Sequence, residues 1–247
     1  MGFNLPSARS LKPKHPKKLV ERWQAEGLST GTIKNRMSGL RYWAGKVNKA
    51  SVIPRDNEEL GIEERKSCAE NKAKTLDMAK VGNLPCKRMQ QATRLMSAFG
   101  LRMEEALKFN PSLADKGNKI ALKASWCKGG RSRDIPVHTK KHRALLNEVK
   151  ETVGNGSLIP DDQKYITFRK AFEYQTLKAG FSNLHGLRHN FAQWRYKQLT
   201  GWKSPKAGGT PARYLKAAQR EIDRDVRLQI SQELGHNRIE ITKIYLG

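Results

Sequence analysis

The chain has 247 residues and carries 48 Lys and Arg against 23 Asp and Glu, a formal net charge of +25. That length allows one large domain or two smaller ones, and that charge calls for a polyanionic partner, nucleic acid first and an anionic membrane surface second. There is no long apolar run, no signal-peptide h-region and no lipidation motif, and Cys68, Cys86 and Cys127 are too few and too widely spaced for a disulfide framework or a zinc site.

In chain order, residues 1–14 are rich in Pro, Lys and Arg and read as a basic flexible arm. Leu19, Val20 and Trp23 begin a helical pattern that Gly27 ends. Ser29 or Thr30 caps a second helix with Ile33, Met37, Leu40 and Trp43 as its apolar stripe. Lys34, Arg36 and Arg41 lie on its other faces and are candidate DNA contacts, since the whole-chain charge already demands a polyanion. Residues 58–75 are charged and read as a helix containing the interdomain connection. Met89, Ala92, Leu95, Met96 and Phe99 mark a longer helix stopped by Gly100. Arg102 then sits at the start of another, where backbone N–H groups favour anions, and Glu105 is placed to hold its guanidinium.

Ile120, Leu122, Ala124 and Trp126 alternate as a strand. Cys127-Lys128-Gly129-Gly130-Arg131 reads as a tight turn with positive φ at the glycines, and Arg133, Ile135 and Val137 continue into a second strand. Lys128 is thereby carried on a hairpin tip, with Arg131 and Arg133 as further candidate DNA contacts. Residues 138–153 form an amphipathic helix. Residues 167–179 form another, with Phe168, Ala171, Phe172 and Leu177 inward. His185 and Arg188 open the next helix one turn apart and on the same side, while Leu184, Leu187 and Phe191 face a core. An imidazole beside a guanidinium suits a phosphate. Thr200 to Thr210 reads as a mobile basic loop. Two helices follow, Ala212 to Asp223 and one carrying Val226, Leu228, Ile230 and Leu234. After Gly235 and His236 comes a short helix with Ile239, Ile241, Ile244 and Tyr245.

No nucleotide-binding glycine loop, metal-ligand cluster or nucleophile elbow is present, so no cofactor and no metal are expected. The motifs Gly100-Leu101-Arg102-Met103-Glu104-Glu105, Lys128-Gly129-Gly130-Arg131, His185-Gly186-Leu187-Arg188-His189 and Leu234-Gly235-His236 through Tyr245 occur in one order. Together they resemble the tyrosine recombinase (phage integrase) family over about residues 75–247. Residues 15–57 are similar in pattern to the helical core-binding domain that precedes the catalytic domain in that family.

The resemblance implies a mainly α fold with a small antiparallel β-sheet. Residues 15–74 would be a core-binding domain and linker, residues 75–247 the catalytic domain, and the two would form a C-shaped clamp around DNA. It implies catalytic roles for Arg102, Lys128, His185, Arg188, His236 and Tyr245, supported by Glu105 and His189. Two arginines would neutralise the pentavalent phosphate, doing what a metal does elsewhere. Tyr245 would form a covalent phosphotyrosine, with His185 as base or proton relay, His236 positioning the tyrosine or a phosphate oxygen, and Lys128 protonating the departing 5′-oxygen. The expected partner is double-stranded DNA, bound as a homo-tetramer on synapsed sites, with a monomer or weak oligomer off DNA and no membrane. The expected place is the cytoplasm of a bacterial host, at the nucleoid. Integration or excision of a phage or mobile element is the leading role. A type IB topoisomerase-like enzyme and a non-catalytic DNA-binding protein are the alternatives. Two departures stand out: the connection from Leu199 to Val226 is longer than usual, and the sequence stops soon after Tyr245, which reads either as a truncation or as assembly by another surface.

Overall fold

A computed structural model of the chain describes residues 7–64 and 70–247. They form two compact units, whose boundary falls within residues 65–69. Cys68 and the first six residues of the expected arm lie outside the described residues.

The first unit is built on α1 (Lys14–Ala25) and α2 (Thr30–Lys46). The Ser29 hydroxyl accepts the backbone N–H of Thr32 at 3.2 Å, the side-chain cap the sequence predicted. Val20, Ile33, Met37 and Ala44 meet Ile53, Leu60 and Ile62 in a small core. Leu11 is buried in the same core and Lys12 N–H donates to His15 Nδ1 at 3.0 Å, so residues 7–14 are folded onto the unit and are not a loose arm. One apolar anchor outweighs the basic composition around it. Arg41 does not face outward either. Its Nε donates to the Pro54 carbonyl at 2.8 Å and its Nη2 to Asn57 Oδ1 at 3.1 Å, pinning the loop after α2. Arg36 stays exposed over the Trp23 ring, and Lys34 borders a groove with Asp56, Glu58 and Glu64. The span 58–75 is not helical where it is described, apart from one 3-10 turn at Glu58–Leu60.

The second unit runs α3 (Met78–Gly82), α4 (Lys87–Phe99), α5 (Met103–Leu107), α6 (Pro111–Ala114), β1 (Lys119–Leu122), β2 (Arg133–Pro136), α7 (Lys140–Val153), α8 (Tyr165–Lys178), α9 (His185–Thr200), α10 (Ala217–Glu233) and α11 (Lys243–Leu246). Its core joins Leu95, Phe99, Leu101 and Leu107 to Ile120, Ile135, Leu146, Phe168, Phe172, Leu187, Phe191 and Ile230. The fold is mainly helical with a two-stranded antiparallel sheet, as expected.

Several boundaries moved. The first strand stops at Leu122, because Ala124–Trp126 form a 3-10 turn, so the connection to β2 is longer than a tight hairpin turn. Gly129 and Gly130 do take positive φ. Leu177 is exposed, and Thr176 takes the inward position on α8. The two helices expected between 212 and 234 are one helix, α10, preceded by a 3-10 turn at Ala212–Tyr214. The expected mobile loop is folded, with Ser204 fully buried and a 3-10 turn at Pro205–Ala207. No helix among the described residues is long and apolar enough to cross a membrane.

Two glycines bring the site's backbone together. Gly100 ends α4 at φ +61°, and a side chain there would lie 2.5 Å from the Phe191 ring, so α9 packs directly on the α4–α5 corner. Gly186, in the first turn of α9, lies under the irregular segment 72–74: a Cβ would come within 2.7 Å of the Lys72 carbonyl, and Lys74 N–H donates to the Gly186 carbonyl at 3.0 Å.

Candidate active site

Arg102 caps α5. Its backbone N–H donates to Glu105 Oε2 at 2.7 Å and its Nη1 to Oε1 at 2.8 Å, so the carboxylate three residues on accepts both bonds and closes the helix start. Glu105 is completely buried. Its other partner is Arg133, whose Nη1 and Nη2 donate to Oε1 and Oε2 at 2.8 and 2.7 Å. Burial alone would raise this carboxyl. The fork and charge of Arg133, the Arg102 N–H and the charge of Arg188 outweigh it and hold the group at about 2.

Arg133 is therefore not a DNA-facing residue. Strand register explains why: Ile120 pairs Ile135 and Leu122 pairs Arg133, so Arg133 shares the inward face with Ile135. Its Nε donates to the Glu233 carbonyl at 2.8 Å, tying β2 to the end of α10. Arg131 is exposed on the connecting loop.

Arg188 is 1% exposed, the opposite of a solvated helix-end arginine. Nη1 donates to the Gly100 carbonyl and Nη2 to the Leu234 carbonyl. Arg102 Nη2 reaches the same Leu234 oxygen at 3.4 Å, so the two guanidiniums lie side by side on one acceptor. Desolvation, against the favourable charge of Tyr245, lowers Arg188 to about 10, still protonated at neutral pH.

Tyr245 is buried, and its Oη accepts from Arg188 Nε at 3.4 Å and lies 3.2 Å from His236 Nε2. His236 Nε2 is also 3.4 Å from Arg188 Nη2. Arginine can only donate, so Nε2 is the bare nitrogen and the tyrosine hydroxyl is the donor to it. His189 packs on the Tyr245 ring with centroids 4.6 Å apart, and the Arg188 guanidinium lies 5.9 Å from the same ring.

His185 keeps an exposed edge and sits 6.3 Å from the tyrosine ring, centroid to centroid. Desolvation first, then Arg188, Arg102 and Lys72, pushes its imidazole below the ordinary value. Thus Arg188, His236 and Tyr245 are directly joined, Arg102 meets Arg188 at the Leu234 carbonyl, and His185 and His189 lie beside them. Lys128 is exposed on the 123–132 connection and has no hydrogen bond to the other five among the described residues. Three arginines against one carboxylate make the centre a net cation pocket suited to an anion.

Three supporting groups were not foreseen. Glu233, buried, receives Arg195 Nε and Nη2 at 3.0–3.1 Å while its carbonyl holds Arg133. Gln193 Nε2 donates to the Tyr245 carbonyl at 3.0 Å. The Leu234 carbonyl gathers both arginines. Glu233 had a visible signal, a carboxylate in the last turn of an amphipathic helix where a cation is favoured. Backbone carbonyls carry none.

Four imidazoles, His138, His142, His189 and His236, are held down to about 4, chiefly by desolvation and then by neighbouring positive groups. His138 and His142 form a cluster with Trp194 away from the tyrosine, and His138 Nε2 and His142 Nδ1 are buried without a partner. Unfolded histidines titrate near 6.5. Between that pH and about 4 the unfolded chain binds protons the native chain refuses, so stability falls as pH falls. The thermal midpoint should be level above pH 7 and drop steeply from 6.5 toward 4, with His138→Phe softening the drop in calorimetry. A level midpoint down to pH 4.5 would contradict the burial of these rings.

Fold and site together define a mainly helical protein that presents a buried tyrosine hydroxyl to a paired-arginine anion pocket. The family model described as "Integrase" matches residues 70–194, and one described as "Phage integrase, N-terminal" matches residues 1–50. The chain belongs to the integrase family, the tyrosine recombinases. No curated protein matches it. Among solved structures, a lambda integrase dimer bound to a COC′ core site matches with TM-score 0.63 at 14% identity, over 100% of this chain and 83% of that one. The Tn1549 transposon integrase in complex with circular intermediate DNA matches with TM-score 0.56 at 15% identity, over 96% and 81%. The XerH site-specific recombinase bound to a palindromic difH substrate matches with TM-score 0.57 at 19% identity, over 98% and 68%.

Proposed function

We propose that this protein is a site-specific DNA recombinase that cleaves and rejoins duplex DNA through a covalent 3′-phosphotyrosine at Tyr245. The observation that carries the reading is the placement of Tyr245 Oη between Arg188 Nε and His236 Nε2, beside two arginines that share the Leu234 carbonyl.

The scissile phosphate enters beside Arg102 and the exposed edge of His185, and the arginines take its non-bridging oxygens. A phenol titrates near 10 in water, so it needs an acceptor for its proton. His236 is neutral at pH 7 and within hydrogen-bond reach, which favours it over His185 as that acceptor. Tyr245 Oη forms the new P–O bond, the bond to the 5′-oxygen breaks, and that oxygen takes a proton from Lys128 once the 123–132 connection closes on DNA. Rejoining reverses these steps with a 5′-hydroxyl from the partner strand.

Both units would contact the duplex, with Lys34, Arg36 and Arg131 as contacts, and four copies would assemble on synapsed sites. The role is integration or excision of a phage or mobile element in a bacterial cytoplasm. The net charge of +25 supports the polyanionic partner.

Tyr245→Phe should bind duplex DNA with unchanged affinity yet trap no covalent complex on a nicked suicide substrate. A persistent protein–DNA adduct in that variant would place the nucleophile elsewhere.

A further inference from the structure

The loop after α9 has no part in the chemistry above, yet it touches the helix that carries Tyr245. It is a closed structure. Ala207 N–H and Gly209 N–H both donate to the Ser204 carbonyl at 2.9 Å, and Gly208 N–H donates to the Pro205 carbonyl at 3.0 Å. Gly209 lies so close to the Lys203 carbonyl that no side chain would fit there. From this base Lys206 reaches across, and its Nζ donates to the Ile244 carbonyl at 2.9 Å. Gly247 packs against Pro205 and Lys206 on the same side.

The contact matters because α11 has only four residues. A helix that short has no stability of its own, and its last carbonyls have no partner within the helix. Its position is set by the burial of Tyr245 and Leu246 in the core and by tethers to those carbonyls. Three side chains supply them: Lys206 on Ile244, Gln193 on Tyr245 at 3.0 Å, and Arg227 on Gly247 at 2.8 Å. Gln193 and Arg227 are buried on the long helices α9 and α10. Lys206 is the tether that stands on a surface loop. Its positive charge also disfavours protonation of His189, whose ring lies tilted against Tyr245 with centroids 4.6 Å apart.

We propose that the 203–209 loop is a latch on the nucleophile helix, with Lys206 as a positioning residue that holds α11, and with it Tyr245, in the chain's own site. This rests on reading Tyr245 as the nucleophile. The long connection between α9 and α10 thereby gains a function: it fixes the tyrosine from within the same chain, and the tyrosine leaves its site only when Lys206 lets go.

The test uses the full chain with Lys206→Met, which keeps the stem and loses the ammonium, and Lys206→Arg, which keeps a donor. Two quantities are read: amide hydrogen exchange across residues 239–247, and single-turnover cleavage of a nicked duplex at saturating protein, with duplex affinity measured alongside. Loss of one charged hydrogen bond is expected to speed exchange and slow cleavage by about tenfold each, leave affinity within a few-fold, and be reversed by Lys206→Arg. Unchanged exchange in Lys206→Met overturns the latch. Faster exchange with unchanged cleavage overturns its role in positioning. A covalent product that survives Tyr245→Phe removes the nucleophile reading separately, and exchange alone then decides whether the loop holds α11.

Discussion

Glu105→Ala is expected to destabilise the protein by roughly 3–5 kcal/mol, because it strips a buried cation of its partner. Arg133 is buried beneath the sheet and gives both terminal nitrogens to this carboxylate. Arg102 loses its cap in the same substitution. The alanine also leaves Arg102, Arg133 and Arg188 to repel one another without the anion between them. Urea denaturation of wild type and variant measures the loss, and a change under 1 kcal/mol would mean that the carboxylate is not the keystone of this corner. Glu105→Gln should lie between, since an amide keeps the shape and one acceptor oxygen but presents N–H groups to a guanidinium. The pH dependence has a definite sign. The native carboxyl sits at about 2, below the ordinary 4.5, so its contribution is complete above pH 4.5 and is lost as pH falls toward 2. That window lies below the histidine window of 6.5 to 4, and a careful acid titration should show the second loss in wild type and not in Glu105→Gln.

The part of the site carried by local pattern was legible in the chain. Leu187 and Phe191 on the inward face of α9, the Gly100 stop and the Ser29 cap all follow from helical period and backbone preference, and all are observed. The errors share a cause. Arg41 and Arg133 look like outward-facing cations in a basic sequence, yet Arg41 clasps a loop and Arg133 forks a buried carboxylate. Each acceptor is remote along the chain or belongs to the backbone, so composition and periodicity could not assign it. For Arg133 a signal did exist, because parity with Ile135 puts it on the inward face of its strand. Charge argued outward, but the buried carboxylate 28 residues earlier decided the matter. Similarly, local polarity marked 200–210 as mobile, while the packing of Ser204 and the reach of Lys206 to α11 depend on a helix that lies more than thirty residues further on.

Arg188→Lys is expected to reduce single-turnover cleavage by at least 100- to 1,000-fold, the usual cost of losing a group that stabilises charge in the transition state. Charge is conserved in this substitution, so the effect isolates geometry. The guanidinium serves four acceptors in three directions: the Gly100 and Leu234 carbonyls, Tyr245 Oη and His236 Nε2. A lysine has one nitrogen at the end of a shorter reach and cannot span them. Its ammonium would satisfy one carbonyl and leave the other buried without a donor, at about 1–3 kcal/mol. The tyrosine oxygen would lose the N–H that steadies negative charge as its proton moves to His236. Duplex affinity should change by less than tenfold, because affinity is spread over many phosphate contacts and Arg188 can supply only one of them. Rapid-quench cleavage beside a salt-controlled binding titration separates the two quantities. If Arg188→Lys cleaves within tenfold of wild type, the fork geometry is dispensable and the buried arginine serves only to join α9 to the Gly100 corner and the end of α10.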